Sequence, residues 1–541
     1  MRRSRGFFVQ WPSLLSMALA IVAGGLALAG DLPDATHGSL PAAHTPLSLH
    51  IRKRIETKPG STRFHAVTEE VAWDPAKTAV VVCDMWNEHW CRGATRRVAE
   101  MAPRMNEVLT AARQQGVLII HCPSDTMKYY AGTPQRKVAQ QAAHVSTKKP
   151  STKKPSPKKP LRNSCGLDRS REGKLPIDDS DGGCDCDPPC KQRSPWRHEI
   201  DKLQIAPGDA ITDSIEAISL LRERGIENVI VMGVHTIMCV LGRPFSIRQL
   251  VDQGFNVVLM RDMTDTMYNS RSAPFVSHFT GTDLVVEHIE KHWCPTITST
   301  DLLGGREFRF SEDRRPTLAM LIAEPEYDTS RTLPEFAAKE LGKDFRVSLI
   351  LGSETDPAAL PGIEALKDAD VLLVSVRRRP LEPAQMKVLR DWVSQGKPVV
   401  GIRTACHAFS LRGKQPRPPL ETWEAWDPQV FGGHYVNHQA NGIKTTIRES
   451  PLANSNPILQ GVDIAQLVGN GSLYLVNPLS ESAQPLLVGT IPGKPSEPVA
   501  WTFVRADGGK SFYTSLGHPD DFAEPAFRKL LVNALLWAAK K

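Results

Sequence analysis

NVIVMGVHTIMCVLGRPFSIRQLVDQ, running from Asn228 to Gln253, is the stretch from which the fold can be argued. Its β-branched apolar run Val229-Ile230-Val231-Met232 has the length of a strand buried on both faces. Gly233 breaks the run, and an amphipathic helical pattern follows through Val240, Leu241, Phe245, Ile247, Leu250 and Val251. Cys239 falls where the strand hands over to that helix. Unpaired N–H groups and the positive end of the helix dipole favour a thiolate there. A cysteine so placed acts as a nucleophile with the same N–H groups open to an oxyanion, or else it packs as one more small buried residue.

Working outward, Thr78–Asp84 reads as a second buried strand. Arg96–Gln115 reads as a helix, with Val98, Met101, Met105, Val108 and Leu109 on one face, and Val117–His121 as the next strand. A further helix over Asp213–Arg224 precedes the quoted strand, and Asn256–Met260 is a strand after it. Strand, helix and strand in this rhythm imply right-handed βαβ units on a parallel sheet, whose ligands bind beyond the carboxyl ends of the strands. Asp84, His121 and Cys239 all fall at such ends. Glu88 and His89 fall on a polar loop just after the first of them.

G-V-H-T-x-x-C-V after a strand, with Asp84 closing Ala79–Cys83, resembles the nucleophile and aspartate segments of the isochorismatase-like cysteine hydrolases. The resemblance runs from about Thr78 to Pro295. It implies Cys239 as nucleophile and Asp84 as its partner. It also implies a cis peptide between Val234 and His235 that aims N–H groups at an oxyanion, a turn supported by Thr236, and a pocket lined by His235. The family's lysine has no counterpart at the end of Ala210-Ile211-Thr212; Lys202 is the nearest candidate, with Lys191 and Lys128 behind it.

A second set of strands, Thr317–Ile322, Phe345–Leu351, Val371–Val376 and Pro398–Ile402, follows a charged linker at 306–315, with a helix at Pro383–Gln395. The fold class expected is therefore α/β: two open, mostly parallel three-layer αβα sheets in tandem. Gly396–Phe409 looks like the strand-turn-helix elbow of class I glutamine-amidotransferase-like domains, with Arg403 where those enzymes carry a cysteine, and Cys406 three residues later. Phe431–His438, Tyr513–Phe522 and the closing Phe527–Ala539 helix narrow the resemblance to the ThuA-like (trehalose-utilisation) domain over 316–541. Arg403, His407, His434, His438 and His518 are its expected pocket residues, which implies work on sugars or keto-sugars.

The chain has 541 residues, enough for more than one core, and its net charge of +7 is concentrated in the lysine/proline tract within 145–164, so nucleic acid is not indicated. Arg2, Arg3 and Arg5 before an apolar run ending at Ala27-Leu28-Ala29 read as a signal peptide over residues 1–29, hence a periplasmic or secreted protein without a transmembrane segment once it is removed. Residues 30–68 read as a partly disordered lead-in, and 69–305 as the first domain. Of the ten cysteines, Cys184, Cys186 and Cys190 crowd a loop at 180–192. We read that cluster as disulfides with Cys165 or among themselves, because C-x-C-x₃-C lacks a second ligand pair for a metal; no metal or cofactor is expected. The function expected is an exported cysteine-dependent hydrolase of amide or carbamoyl C–N bonds fused to a carbohydrate-directed domain. Its partner would be a small amide or sugar-derived substrate, and a homo-oligomer is compatible with it. The alternatives are a catalytically silent glycan-binding envelope protein and an envelope scaffold.

Overall fold

Alternate residues of the strand Thr78–Cys83 go to opposite cores. Ala79 and Val81 pack among the helices of one layer, Val80 and Val82 against the long helix of the other. That two-sided burial is why the strand is uniformly apolar, and it recurs in Asn228–Val234, where all seven residues are buried. The computed structural model describes residues 45–146 and 170–540, which belong to one compact unit, His44–Lys541. The expected signal peptide, the lysine/proline tract at 147–160 and Cys165 lie outside the described residues.

The first sheet has eight strands: β1 (Leu47–Glu56), β2 (Phe64–Trp73), β3 (Thr78–Cys83), β4 (Leu118–Cys122), β5 (Ala210–Ile211), β6 (Asn228–Val234), β7 (Asn256–Asp265) and β8 (Thr296–Ile297). Their order is β2-β1-β8-β7-β6-β3-β4-β5, parallel from β8 to β5. Helix α1 (Arg92–Gln114) covers one face. After α2 (Pro134–Ser146), the other face is covered by α3 (Glu216–Glu223), α4 (Cys239–Gly242), α5 (Ile247–Asp252) and α6 (His278–His292), and α7 (Thr300–Leu303) closes the layer sequence.

The second sheet is built from β9 (Thr317–Ala323), β10 (Arg346–Leu351), β11 (Val371–Val376), β12 (Val399–Ile402), β14 (Thr445–Glu449), β15 (Val468–Gly469), β17 (Ala483–Thr490), β18 (Glu497–Val504) and β19 (Lys510–Thr514). A separate pair is formed by β13 (Asn437–His438) and β16 (Tyr474–Leu475). The order β10-β9-β11-β12-β19-β18-β17-β14-β15 is parallel in its first half and antiparallel from β18 onward. Helices α8 (Thr329–Phe336) and α10 (Pro525–Ala539) pack on one face and α9 (Pro383–Ser394) on the other. The molecule is thus α/β with two mostly parallel sheets in tandem.

Two expectations are corrected. The stretch 30–68, read as a partly disordered lead-in, holds β1 and the first half of β2, and these ten-residue strands pair in full register from Leu47↔Trp73 to Glu56↔Phe64. Its alternation was masked by charge, because only the Leu47, Leu49 and Ile51 side of β1 is buried. The single amphipathic helix read over 240–251 is two short ones. Pro244 removes an amide donor and pushes Arg243 out of the helical region, to φ −73°, ψ 161°.

Candidate active site

Gly233 fixes how closely β6 and β3 approach. It has φ +108°, and a Cβ there would lie 2.1 Å from the Cys83 carbonyl oxygen, so only glycine fits. The close approach brings the residue after β3 against the turn after β6, and these are Asp84 and the 235–239 segment. Asp84 itself holds a left-handed φ of +46°, a strained conformation of the kind found at functional sites. Its Oδ1 accepts the Ser124 N–H at 2.7 Å. Its Oδ2 is buried with no hydrogen bond and faces Arg243, whose Nε lies 3.8 Å away. Burial raises the Asp84 carboxyl from its ordinary 3.8 to about 6, against the opposing pull of Cys239, Arg243 and Ser124.

Cys239 opens α4, as the sequence reading requires, but α4 is only four residues long and supplies little dipole. Burial first, then the Asp84 charge, push the thiol well above its ordinary range, and Arg243 pulls it back. Burial and the Asp84 charge thus weigh against a thiolate at Cys239, and Arg243 weighs for one.

Lys202 does not reach this pair. It is an exposed residue whose Nζ donates to the Ala99 carbonyl of α1 at 2.9 Å. The cation beside Asp84 and Cys239 is instead Arg243, which also lies 3.5 Å from Asp125. The readable signal for it is Arg243-Pro244: the residue before proline leaves the helix, and here it turns toward the pocket.

The Val234–His235 peptide is cis. In the turn that follows, the Thr236 N–H donates to the Asp265 carbonyl at 2.9 Å, and the N–H groups of Met238 and Val240 to the His235 carbonyl at 3.0 and 3.3 Å. The Thr236 hydroxyl pairs with that of Thr264 at 2.7 Å, and Thr264 donates to the Gly233 carbonyl. Beside the turn stands an aromatic wall that the sequence reading missed. Trp86 stacks on Trp196 at 4.5 Å, with His89 at 5.9 Å from Trp196 and edge-on to His235 at 4.8 Å. His89 is pushed down to about 4, by burial and then by Arg97, and His235 is lowered too, so both imidazoles are neutral and serve as surface rather than as bases. Trp196 reaches the wall from a loop more than a hundred residues away in sequence, which no local pattern announces.

His121 turns away from Asp84. Its Nδ1 lies 2.7 Å from Glu199 and its Nε2 3.2 Å from Asp209, which Arg113 also holds at 2.8 Å. Against the effect of burial, these two carboxylates raise it to about 9, so His121 is a buried cation that fastens the 196–210 loop to β4.

In the second half, Arg403 also has a left-handed φ, +49°, at the elbow after β12. Its guanidinium is buried, with both terminal nitrogens engaged and Nε left without a hydrogen-bond partner. Nη1 donates to the carbonyls of Ser472 (2.9 Å) and Ser515 (2.7 Å), Nη2 to Ser472 Oγ at 3.0 Å, and the plane sits over Tyr327 and Tyr474 at 4.6 and 4.3 Å. His518 approaches Tyr327, and His407 and His438 approach Tyr474, at 6.1–6.3 Å between rings. Four of the five expected residues thus gather round the two tyrosines, while His434 is exposed. His407 is pushed down to about 2 by burial and then by Arg378, Arg377 and Arg412, and stays neutral. Asp427, which the sequence reading passed over, is buried nearby and raised by that burial to about 7.

Residues 329–538 match the family model ThuA, described as trehalose utilisation. Among solved structures, a cysteine hydrolase from Pseudomonas syringae pv. phaseolicola is similar at 19% identity and a TM-score of 0.27, covering 43% of this chain and 93% of that one. A ThuA-like protein from Parabacteroides merdae is similar at 13% identity and TM-score 0.31, covering 42% and 91%. An isochorismatase family protein from Burkholderia thailandensis is similar at 14% identity and TM-score 0.24, covering 42% and 94%. No curated protein matches the chain. The chain carries a ThuA domain at 329–538.

Proposed function

We propose that the first half is a cysteine-dependent hydrolase of C–N bonds, of the amide or carbamoyl type, and that the second half recognises a carbohydrate or keto-sugar. The observation that carries the hydrolase reading is the buried Asp84 carboxylate set beside the Cys239 thiol and Arg243. Sγ of Cys239 attacks the substrate carbonyl carbon while Asp84 Oδ2 takes the thiol proton. Thr236, Met238 and Val240 spend their N–H groups inside the turn, which leaves the Ile237 and Cys239 amides for the oxyanion, with Arg243 balancing the added charge. Collapse breaks the C–N bond as Asp84 returns the proton to the leaving nitrogen. Water, deprotonated by Asp84, then cleaves the thioester. The flat Trp86–Trp196 wall favours a planar carboxamide or an aryl or heteroaryl group beside the scissile bond.

A separate observation favours binding without turnover in the ThuA domain. Arg403 occupies the elbow where the amidotransferase-like domains carry a cysteine, and its terminal nitrogens are already held by Ser472, Ser515 and Tyr327. Tyr327, Tyr474 and the histidines around them supply the stacking and hydrogen-bonding surface that sugars take. The basic and apolar pattern of residues 1–29 supports export. Two measurements test the reading: ammonia release from a panel of carboxamides and carbamoyl compounds, and calorimetric titration with sugars. Ammonia release that survives Cys239→Ala at the wild-type rate removes the hydrolase assignment.

A further inference from the structure

The loop read as disulfides gains a fourth thiol from the fold. Cys91, the residue before α1, lies with its Sγ 3.3 Å from that of Cys184 and 3.8 Å from that of Cys186. The three sulfurs lie within 4.8 Å of one another, and the described cysteines are all free, which corrects the expected pairing among Cys184, Cys186 and Cys190. Cys190 lies beside these three: its N–H points at Cys184 Sγ from 3.4 Å, and its thiol interacts with both Cys184 and Cys186. A disulfide needs about 2.05 Å between sulfurs. Four sulfurs about 2.3 Å from a tetrahedral zinc stand about 3.8 Å apart. The separations of Cys91 from Cys184 and Cys186 are close to that of the tetrahedron and far from that of a disulfide.

We propose that Cys91, Cys184, Cys186 and Cys190 form a tetrathiolate site for one zinc-type divalent ion, which fastens the 180–192 loop to the start of α1.

The surroundings suit the two net negative charges of such a centre. The Gly93 N–H donates to Cys186 Sγ at 3.3 Å, at the first turn of a 23-residue helix. Arg92 lies against Cys186 and Cys190, and Arg271 Nη2 donates to the Cys184 carbonyl at 2.8 Å. Cys91 donates its thiol proton to Asp185 Oδ1 at 3.4 Å; metal binding removes that proton, and Arg97 retains Asp185 at 2.5 Å. Cys91 and Cys184 are buried, and Cys186 and Cys190 lie toward the surface, which gives an ion an entry path. The sulfur-only, four-membered set selects zinc over the hard cations magnesium and calcium.

The site would also set the pocket wall. Asp185, between two of the ligands, pairs with Arg97; Arg97 Nε holds Asp265 at 2.8 Å, and His278 Nε2 holds its other oxygen at 2.8 Å. The Asp265 carbonyl receives the Thr236 N–H in the turn before Cys239. Trp90 packs on the cluster, so its fluorescence reports the state of the loop.

The test is elemental analysis of the full-length protein purified under a non-thiol reductant, with thiol titration before and after a mercurial reagent. The expected result is one zinc per chain, released as four thiols are titrated, with a shift in Trp90 emission. Cys190→Ser, at the outer corner, should bind zinc at least tenfold more weakly with unchanged circular dichroism, whereas Cys406→Ser should keep its zinc. Cobalt(II)-loaded wild-type protein should show thiolate-to-metal charge transfer and the strong visible bands of a tetrahedral sulfur site. Absence of stoichiometric metal, disulfides mapped among these four residues, or a weak octahedral cobalt spectrum would each overturn the proposal.

Discussion

Asp84 is costly to keep buried. Its carboxyl is raised from 3.8 to about 6, so the folded protein binds a proton more readily than the unfolded chain between those values. Stability linked to Asp84 is therefore present at low pH and is lost as pH rises through 6, by on the order of 2–3 kcal/mol. Asp84→Asn, which keeps the Ser124 bond, should raise the melting temperature at pH 8 while cutting kcat by about 10²–10⁴, the usual contribution of a general base. Differential scanning calorimetry and ammonia release read the two effects separately. Arg243→Ala should lower kcat/KM by about 10²-fold or more through loss of charge compensation, and Arg243→Lys should recover part of it. Asp84 and Cys239 were legible because each ends a buried apolar strand. Arg243 was not, because its spacing of four from Cys239 looks like the next turn of a helix.

At the scale of the element, the break between α4 and α5 decides where Arg243 points. Pro244→Ala restores an amide donor and lets the two helices join through 243–246, which withdraws the guanidinium from Asp84. The expected outcome is a gain in helical circular dichroism with at least a tenfold drop in kcat/KM. Most of the parallel strands that were read ended within a residue or two of their bounds, because burial on both faces leaves no polar positions. By contrast, β7 runs five residues past Met260 to Asp265, and β5, β8 and β19 were not read. The β1–β2 hairpin was not, since one of its faces is exposed and charged. The Trp86–His89–Trp196 wall was invisible for a different reason: its members come from two loops joined only by tertiary packing. On the far side of β4, His121 is held at about 9 by Glu199 and Asp209 after burial has pulled the other way. A raised histidine stabilises fully below the unfolded value of about 6.5, and its contribution, on the order of 3 kcal/mol, fades as pH rises through 9. His121→Ala should therefore flatten the alkaline fall of the melting temperature between those values.

Across the whole molecule, the hairpin connects the two sheets. Glu354, just after β10, accepts Thr57 Oγ1 at 2.8 Å and pairs with Arg63 at 2.6 Å and Lys58 at 2.9 Å. The Ser277 N–H also donates to the Gly342 carbonyl at 3.0 Å. Such ties give the two halves a common unfolding transition. Glu354→Ala, which removes a partly exposed network worth about 1 kcal/mol, should broaden or split that transition in calorimetry. Among the described residues no helix is long and apolar enough to cross a membrane. The Asp84–Cys239 pocket and the tyrosine–histidine cluster are separate sites on separate sheets, and each should respond to its own variants: on the proposed reading, Arg403→Ala should abolish sugar binding and leave ammonia release unchanged.

The most direct test of the hydrolase account is the rate of Cys239 carbamidomethylation by iodoacetamide as a function of pH, read by peptide mass spectrometry in the wild-type and Asp84→Asn proteins. The account predicts a wild-type rate that rises with an inflection near pH 6, where Asp84 becomes a base, and the loss of that inflection in Asp84→Asn. A rate that ignores Asp84 and climbs only as an ordinary thiol ionises, above about pH 8.5, would contradict it.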